Sequence, residues 1–213
     1  MGVISLMVFV LFVPLQPDAR GDELKKGVGF RLGFHDFSDP DLADYYDFGS
    51  LLALDFIIPS RPTVSYRISL EMIGATGEYS ESYYVSGYGY VTGYASGVLD
   101  MTGFSAAIMA HTAQQEKFGA YAGIGLGFYS VTEDVTASAS AGGTTVTISD
   151  TADGGGMGSN LFGGLNIALS PQVSLGLELN ILLLTASMSS SLVGSFESDY
   201  GGIGQSLVLN ARF

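Results

Sequence analysis

The chain has no cysteine and no tryptophan in 213 residues. Without cysteine there is no disulfide framework, no thiolate metal site and no lipidated N-terminal Cys. Bases are scarce: 8 Lys and Arg stand against 21 Asp and Glu, a formal charge of −13. Such a chain repels phosphate backbones, which excludes DNA and RNA as partners. Long apolar runs are also missing after the first few residues; none approaches the roughly 18 residues of a helical membrane span. Yet mean hydropathy is +0.35, apolar for a soluble domain. With 30 Gly, 12 Tyr and 13 Phe, the composition fits a chain whose apolar residues are distributed over alternating strands.

The N-terminus reads separately. Val3 to Val13 is apolar except at Ser5, too short to span a bilayer as a helix and suited to a signal-peptide core. Ala19-Arg20-Gly21 puts small residues where a signal peptidase inspects them. The expected division is a signal peptide over 1–21 and a barrel domain over 22–213, with a short buried helix as the alternative for the first segment. No Lys or Arg precedes the apolar core, a departure that fits a true start lying upstream of Met1.

Eight segments alternate: Gly27 to Phe37, Phe48 to Ile58, Thr63 to Thr76, Val98 to Ala110, Phe118 to Val131, Met157 to Leu169, Val173 to Ala186, and Ile203 to Phe213. Each is long enough for a tilted membrane strand, which needs about 9–11 residues. Their connections run long, short, long, short, long, short, long. The short ones are Pro59-Ser60-Arg61-Pro62, His111 to Lys117 and Ser170-Pro171-Gln172; the long ones centre on Asp39 to Asp47, Gly77 to Gly97, Thr132 to Gly156 and Ser187 to Gly202. An up-and-down membrane barrel with tight periplasmic turns and long external loops has this rhythm. The predicted fold is all-β: an eight-stranded antiparallel transmembrane β-barrel with both strand ends at the periplasmic side.

The two faces differ in chemistry. Val28, Phe30, Leu32 and Phe34 share one parity, as do Leu52, Leu54, Phe56 and Ile58, and the odd residues from Val173 to Leu183; these stripes should face lipid. Tyr66, Phe118 and Phe213 are expected at the periplasmic rim, and Phe34, Phe48 and Phe128 at the external rim, as two aromatic girdles. The opposite parity carries Arg31, His35, Asp55, Arg67, Glu71, Tyr121, Glu178, Asn180 and Arg212. Ionisable groups at membrane depth face protein or water. On that rule Asp100 and Thr102 would turn inward on the fourth strand, taking Phe104 and Ile108 with them. Inward glycines of Tyr121 to Tyr129 leave room for long side chains from across a narrow lumen.

The last stretch, Ile203 to Phe213, resembles the C-terminal signature of bacterial outer-membrane barrels, with Phe213 as the signal that the family's assembly machinery reads. Together with Tyr121 to Tyr129, Phe162-Gly163-Gly164-Leu165-Asn166 and Ser170 to Glu178, it is similar to the small barrels related to outer membrane proteins A, X and W. The resemblance implies the outer membrane of a Gram-negative-type bacterium, a monomer, and no cofactor. The implied partners are outer-membrane lipid and lipopolysaccharide, the barrel assembly machinery, and a surface ligand.

Several residues invite a chemical reading. Arg31, Arg67 and Arg212 face Asp55, Glu71, Asp100 and Glu178 in an interior just wide enough to be filled by side chains. Unpaired charges there would be costly, so an internal ion-pair network is expected. It is either a structural plug or a gate whose partners swap to open a narrow water path. The second external segment holds Tyr79, Tyr83, Tyr84, Tyr88, Tyr90 and Tyr94; Tyr offers large contact area at small entropy cost, which suits recognition. Tyr88-Gly89-Tyr90 also alternates, so the strands could simply continue above the membrane. Thr136 to Gly156 reads as flexible or as a mobile hairpin.

Three weaker readings complete the set. Gly123-Ile124-Gly125-Leu126-Gly127 lies inside a strand with no helix after it, so it is no dinucleotide fingerprint. His35, Asp36 and Ser38 would suit a lipid-modifying enzyme only if they met; as neighbours on a strand, His35 and Asp36 point apart, so no catalytic residue is assigned. Asp36, Asp39, Asp41, Asp44 and Asp47 could attract divalent cations but lack the EF-hand pattern, so no metal site is assigned, and His111 is expected to be solvated in a periplasmic turn. The expectation is a surface-interaction barrel with a plugged interior; the alternative is a narrow gated pore, then an outer-membrane lipid enzyme.

Overall fold

The computed structural model describes residues 25–86, 89–112 and 117–213. Residues 1–21, the expected signal peptide, and Tyr88 lie outside these residues. Among the described residues, alternating apolar and polar residues with closed hydrogen-bond ladders give nine strands: β1 (Gly27–Phe37), β2 (Gly49–Arg61), β3 (Val64–Val85), β4 (Gly89–His111), β5 (Phe118–Ala141), β6 (Thr144–Ala168), β7 (Val173–Ser190), β8 (Gly194–Asp199) and β9 (Gly202–Arg212). Among the described residues a single helix, α1 (Pro40–Tyr46), lies between β1 and β2. All pairings are antiparallel. Strands β1 to β7 pair in sequence, β9 pairs with β7, and β9 also pairs with β1 from Gly27↔Arg212 to Phe37↔Gly202, which closes a ring of eight. The Phe213 amide continues the closure by donating to the Lys26 carbonyl at 2.9 Å. Closure removes the sheet edges that lipid could not satisfy.

The outer wall is the predicted apolar belt. Phe30, Leu54, Leu126, Leu161, Leu179 and Leu207 are exposed on it. Phe118 and Phe213 stand at the periplasmic rim, and Phe34, Phe48 and Phe128 at the external rim, with Phe34 and Phe48 edge to face at 5.3 Å. The inner parity holds Arg31, Asp55, Arg67, Glu71 and Glu178, all buried. A belt of apolar side chains around a polar, closed interior is that of a transmembrane barrel of the outer-membrane type. The protein is an outer-membrane β-barrel.

Strand β4 is turned the other way from the expectation. Leu99, Met101 and Ser105 are buried, whereas Asp100, Thr102 and Phe104 are exposed on the outer wall. Asp100 pairs with Gly74 and Thr132, four residues above Phe104 and Phe128. It therefore stands at the external rim, not at hydrocarbon depth, and the rule that sends ionisable groups inward does not reach it. Asp100 is thus not part of the interior network.

The long connections are not loops. Strands β3 and β4 stay paired up to Val85↔Gly89, and β5 and β6 up to Ala141↔Thr144. Gly142 and Gly143 turn the latter hairpin at φ of 56° and 86°, a pair of positive values that glycine adopts without steric cost in a two-residue loop. The fourth connection folds as β8, which pairs with β7 above the ring. The first contains α1, capped by Asp39, whose Oδ1 accepts from the amides of Asp41 (2.9 Å) and Leu42 (3.3 Å). At the periplasmic end β2 runs through Arg61 with an irregular register after Pro59, leaving Pro62 and Thr63 as the turn.

Candidate functional site

The lumen is filled in layers. At mid-height the Arg31 guanidinium is wholly buried and reaches three carboxylates. Its Nε and Nη2 donate to Asp55 at 2.8 and 3.0 Å, Nη2 also to Glu71 at 2.9 Å, and Nη1 to Glu178 at 3.2 Å. Arg67 donates from Nη1 to the other oxygen of Glu178 at 2.6 Å, and its guanidinium carbon lies 3.5 Å from the Phe162 ring centre. Tyr129 donates to the second oxygen of Glu71 at 2.9 Å, and Asn160 donates to Tyr129 at 2.9 Å. Strands from around the ring thus meet in one network, because inward residues of a narrow barrel have nowhere else to go.

Gly123 of the predicted inward set makes room for a ring of the adjacent strand and not for a side chain from across the lumen, and Gly103 on β4, outside that set, does the same. A Cβ on Gly123 would fall 2.3 Å from the Phe162 ring, and one on Gly103 would fall 2.2 Å from Tyr129. Each ring lies over the glycine with which its own residue pairs.

Above the network the interior turns apolar. Leu51, Ile73, Leu99, Met101, Val131, Leu182, Leu184 and Met188 form one buried cluster. Helix α1 closes it from outside with Tyr46, which is 1% exposed. Tyr46 donates to Glu133 at 2.7 Å, and Tyr200 donates to the other oxygen at 3.3 Å. Burial, then the Glu133 carboxylate, pushes both phenols well above the usual tyrosine range. The sequence reading missed this layer. Its signal was Ile181-Leu182-Leu183-Leu184, apolar on both parities, which in a barrel means burial on the inside as well as lipid on the outside.

The remaining predicted residues separate. Arg212 is half-buried at the periplasmic mouth, in the wall of a cavity that Asp55 and Arg67 also line. His35 is buried, its ring against Phe37 at 5.1 Å, with neither nitrogen bonded among the described residues. Asp36 faces outward, and Ser38 donates to the Gly201 carbonyl at 3.0 Å, so these three do not assemble. His111 is not merely solvated: its ring nitrogens lie 2.8 Å from Ser65 Oγ and 2.9 Å from the Thr112 carbonyl.

The tyrosines of the second external segment divide between two faces of the β3–β4 extension. Tyr84, Tyr90 and Tyr94 continue the outer parity, with Tyr84 and Tyr90 edge to face at 5.6 Å. Tyr79 and Tyr83 continue the inner parity, and Tyr79 donates to Glu81 at 2.7 Å. The neighbouring β5–β6 extension carries paired hydroxyls outside, Thr136 with Ser149 and Ser140 with Thr145. All five tyrosines are exposed.

No family model matches the sequence, and no curated protein matches it. Among solved structures the chain is similar to Neisserial surface protein A, at 11% identity over 89% of this chain and 96% of that one, with a TM-score of 0.45. It is similar to a major outer membrane protein from Thermus thermophilus, at 15% identity over 89% of this chain and 99% of that one, with a TM-score of 0.42. A third likeness is to Ail, the attachment invasion locus protein of Yersinia pestis, at 9% identity over 88% and 95%, with a TM-score of 0.34. The closed ring of strands itself, independent of these likenesses, establishes the barrel.

Proposed function

We propose that the protein is a closed barrel that works through its extracellular sheet, as a surface-interaction protein and not as a conduit. The observation that carries this reading is the filling of the lumen. The Arg31 network and the apolar cluster lie one above the other, and Tyr46 caps them. Both layers would have to part before water crossed, and a buried charge stripped of its partner costs several kcal/mol (about 3–5). The parts left free for a partner are the paired extensions of β3 to β6, where Tyr84, Tyr90 and Tyr94 are exposed and supply rigid contact area. A surface ligand on this sheet, surrounding lipopolysaccharide, a monomeric state, and recognition of Phe213 by the assembly machinery belong to the same proposal.

The test is single-channel recording of the full chain in a planar bilayer, with folding verified by circular dichroism. A silent bilayer is expected. Discrete steps that change in Arg67→Gln would replace this reading with a gated pore. In parallel, replacing Gly77 to Gly97 with a short turn should leave the barrel folded and reduce attachment of cells that display it.

A further inference from the structure

Strands β3 to β6 run on above the ring as one sheet. Its outer face carries the paired hydroxyls. Its inner face, which continues the parity of the lumen, is apolar. Two rows of partners cross all four strands there: Tyr79, Ala95, Ala137 and Ile148, then Glu81, Gly93, Ala139 and Val146. Tyr83 stands on the next row of β3. Tyr79, Tyr83, Val146 and Ile148 are 54–60% exposed. Single exposed apolar residues are ordinary, but a contiguous set on one face marks an interaction surface.

The face has the shape of a trough. Its walls are the large side chains of β3 and β6, and its floor is the alanines and glycine of β4 and β5. A Cβ on Gly93 would meet only the Glu81 carbonyl, at 3.9 Å, so the floor is open. Strands lie about 4.8 Å apart, which sets the walls about 14 Å apart. A helix with its side chains is roughly 10–12 Å across and fits between them. The molecule already seats one helix on this face. One row below, Gly77 pairs with Gly97, and α1 lies on both: a Cβ would fall 2.3 Å from the Tyr45 carbonyl oxygen at Gly77 and 2.7 Å from the Tyr45 ring at Gly97.

Charge selects the occupant. Among the described residues no Lys or Arg stands above the external girdle. Glu81 lies in one wall, and Asp150 lies at the foot of the other, two residues along β6 from Ile148. A second copy would bring the same acids and be repelled, whereas a partner carrying bases is attracted. We propose that this trough binds a cationic amphipathic helix of another protein, its apolar stripe on Ala95, Ala137 and Ala139 and its Lys or Arg beside Glu81 and Asp150. The assignment rests on the extracellular sheet being the working part of the molecule, and it names the partner that the sheet takes.

The experiment places the full chain in phosphatidylcholine nanodiscs. The probe is a labelled, stapled helix of three turns, about 11 residues, with one Leu stripe flanked by Lys. Fluorescence anisotropy reads its binding, and empty nanodiscs give the background. Saturable binding above that background is expected. The double variant Val146→Ser with Ile148→Ser changes exposed side chains only, so the barrel should fold, and it should weaken the probe tenfold or more. Glu81→Gln should weaken it several-fold and reduce its dependence on salt. The same helix with Glu in place of Lys should not bind. Binding no better than to empty nanodiscs overturns the proposal, and so does binding that the double variant leaves unchanged or that the Glu helix equals. A concentration-dependent dimer in ultracentrifugation that the double variant abolishes would assign the trough to a second copy and overturn it too. Cells displaying the double variant separate this inference from the broader reading. If they still attach while the replacement of Gly77 to Gly97 abolishes attachment, the trough falls and the surface role stands; loss in both supports the trough.

Discussion

Arg67 lies face-on over Phe162, its guanidinium carbon 3.5 Å from the ring centre, while its Nη1 holds Glu178 at 2.6 Å. The aromatic face and the carboxylate clamp one cation from two strands. Phe162→Leu keeps most of the volume but removes the π-face, a loss of about 2 kcal/mol for a desolvated cation–π contact. Phe162→Ala should cost about 3–5 kcal/mol by adding a cavity. Urea unfolding in lipid vesicles, followed by circular dichroism, measures both.

Arg31 is the hub on which Asp55, Glu71 and Glu178 converge. Arg31→Met would leave three buried carboxylates facing Arg67 alone, and should lower stability by about 3–5 kcal/mol. Adding Asp55→Leu to that variant should recover part of the loss, since an apolar pair replaces a stranded charge. Equal stability of wild type and Arg31→Met in the same unfolding assay would contradict the hub role.

The external cap depends on a phenol held to a carboxylate. Tyr46→Phe deletes the bond to Glu133, worth about 1.5 kcal/mol for a charged acceptor. The amides of Ala43 and Asp47, which close α1, should then exchange about tenfold faster. The same contact sets an alkaline limit. Folding raises the Tyr46 and Tyr200 values above the ordinary 10.0, so the folded state holds these protons more tightly. Their contribution is whole below pH 10 and declines as pH rises beyond it. The protection of α1 amides relative to the unstructured chain at the same pH should fall above that pH, and the fall should be smaller in Tyr46→Phe.

The β7–β8 turn has an acid limit instead. Ser190 and Ser191 donate to Asp150, and these bonds hold its carboxyl below the ordinary 3.8. A lowered value means that the folded state prefers the charged form. This contribution is present above the ordinary value and is lost as pH falls through the lowered one. The amides of Leu192 and Val193, which donate to Ser190 Oγ, should lose protection relative to the unstructured chain as pH falls below about 4. In Asp150→Asn the protection should already be low at neutral pH and lack this step.

The barrel could be read from the sequence because a strand in lipid leaves little freedom. Leu177, Leu179 and Leu183 must face hydrocarbon, so Glu178 and Asn180 must face inward, and the structure places them so. The same logic located Arg31, Asp55, Arg67 and Glu71. It failed at Asp100, because alternation gives parity but not height, and above the girdle an outward acid meets water.

Alternation by itself therefore determined the strand count of the ring, the closed sheet and most of the lumen's charges. Only the tertiary structure decided that Arg31 gathers Asp55, Glu71 and Glu178, residues up to 147 positions away. Such pairing depends on the stagger at which the strands close, which no single strand encodes. It also decided that the upper lumen is apolar and capped by Tyr46, and that the external tyrosines lie on two faces of a sheet. Leu99 and Glu133 acquire their roles only when the strands close around a common axis, since burial there comes from residues opposite in space and distant in the chain.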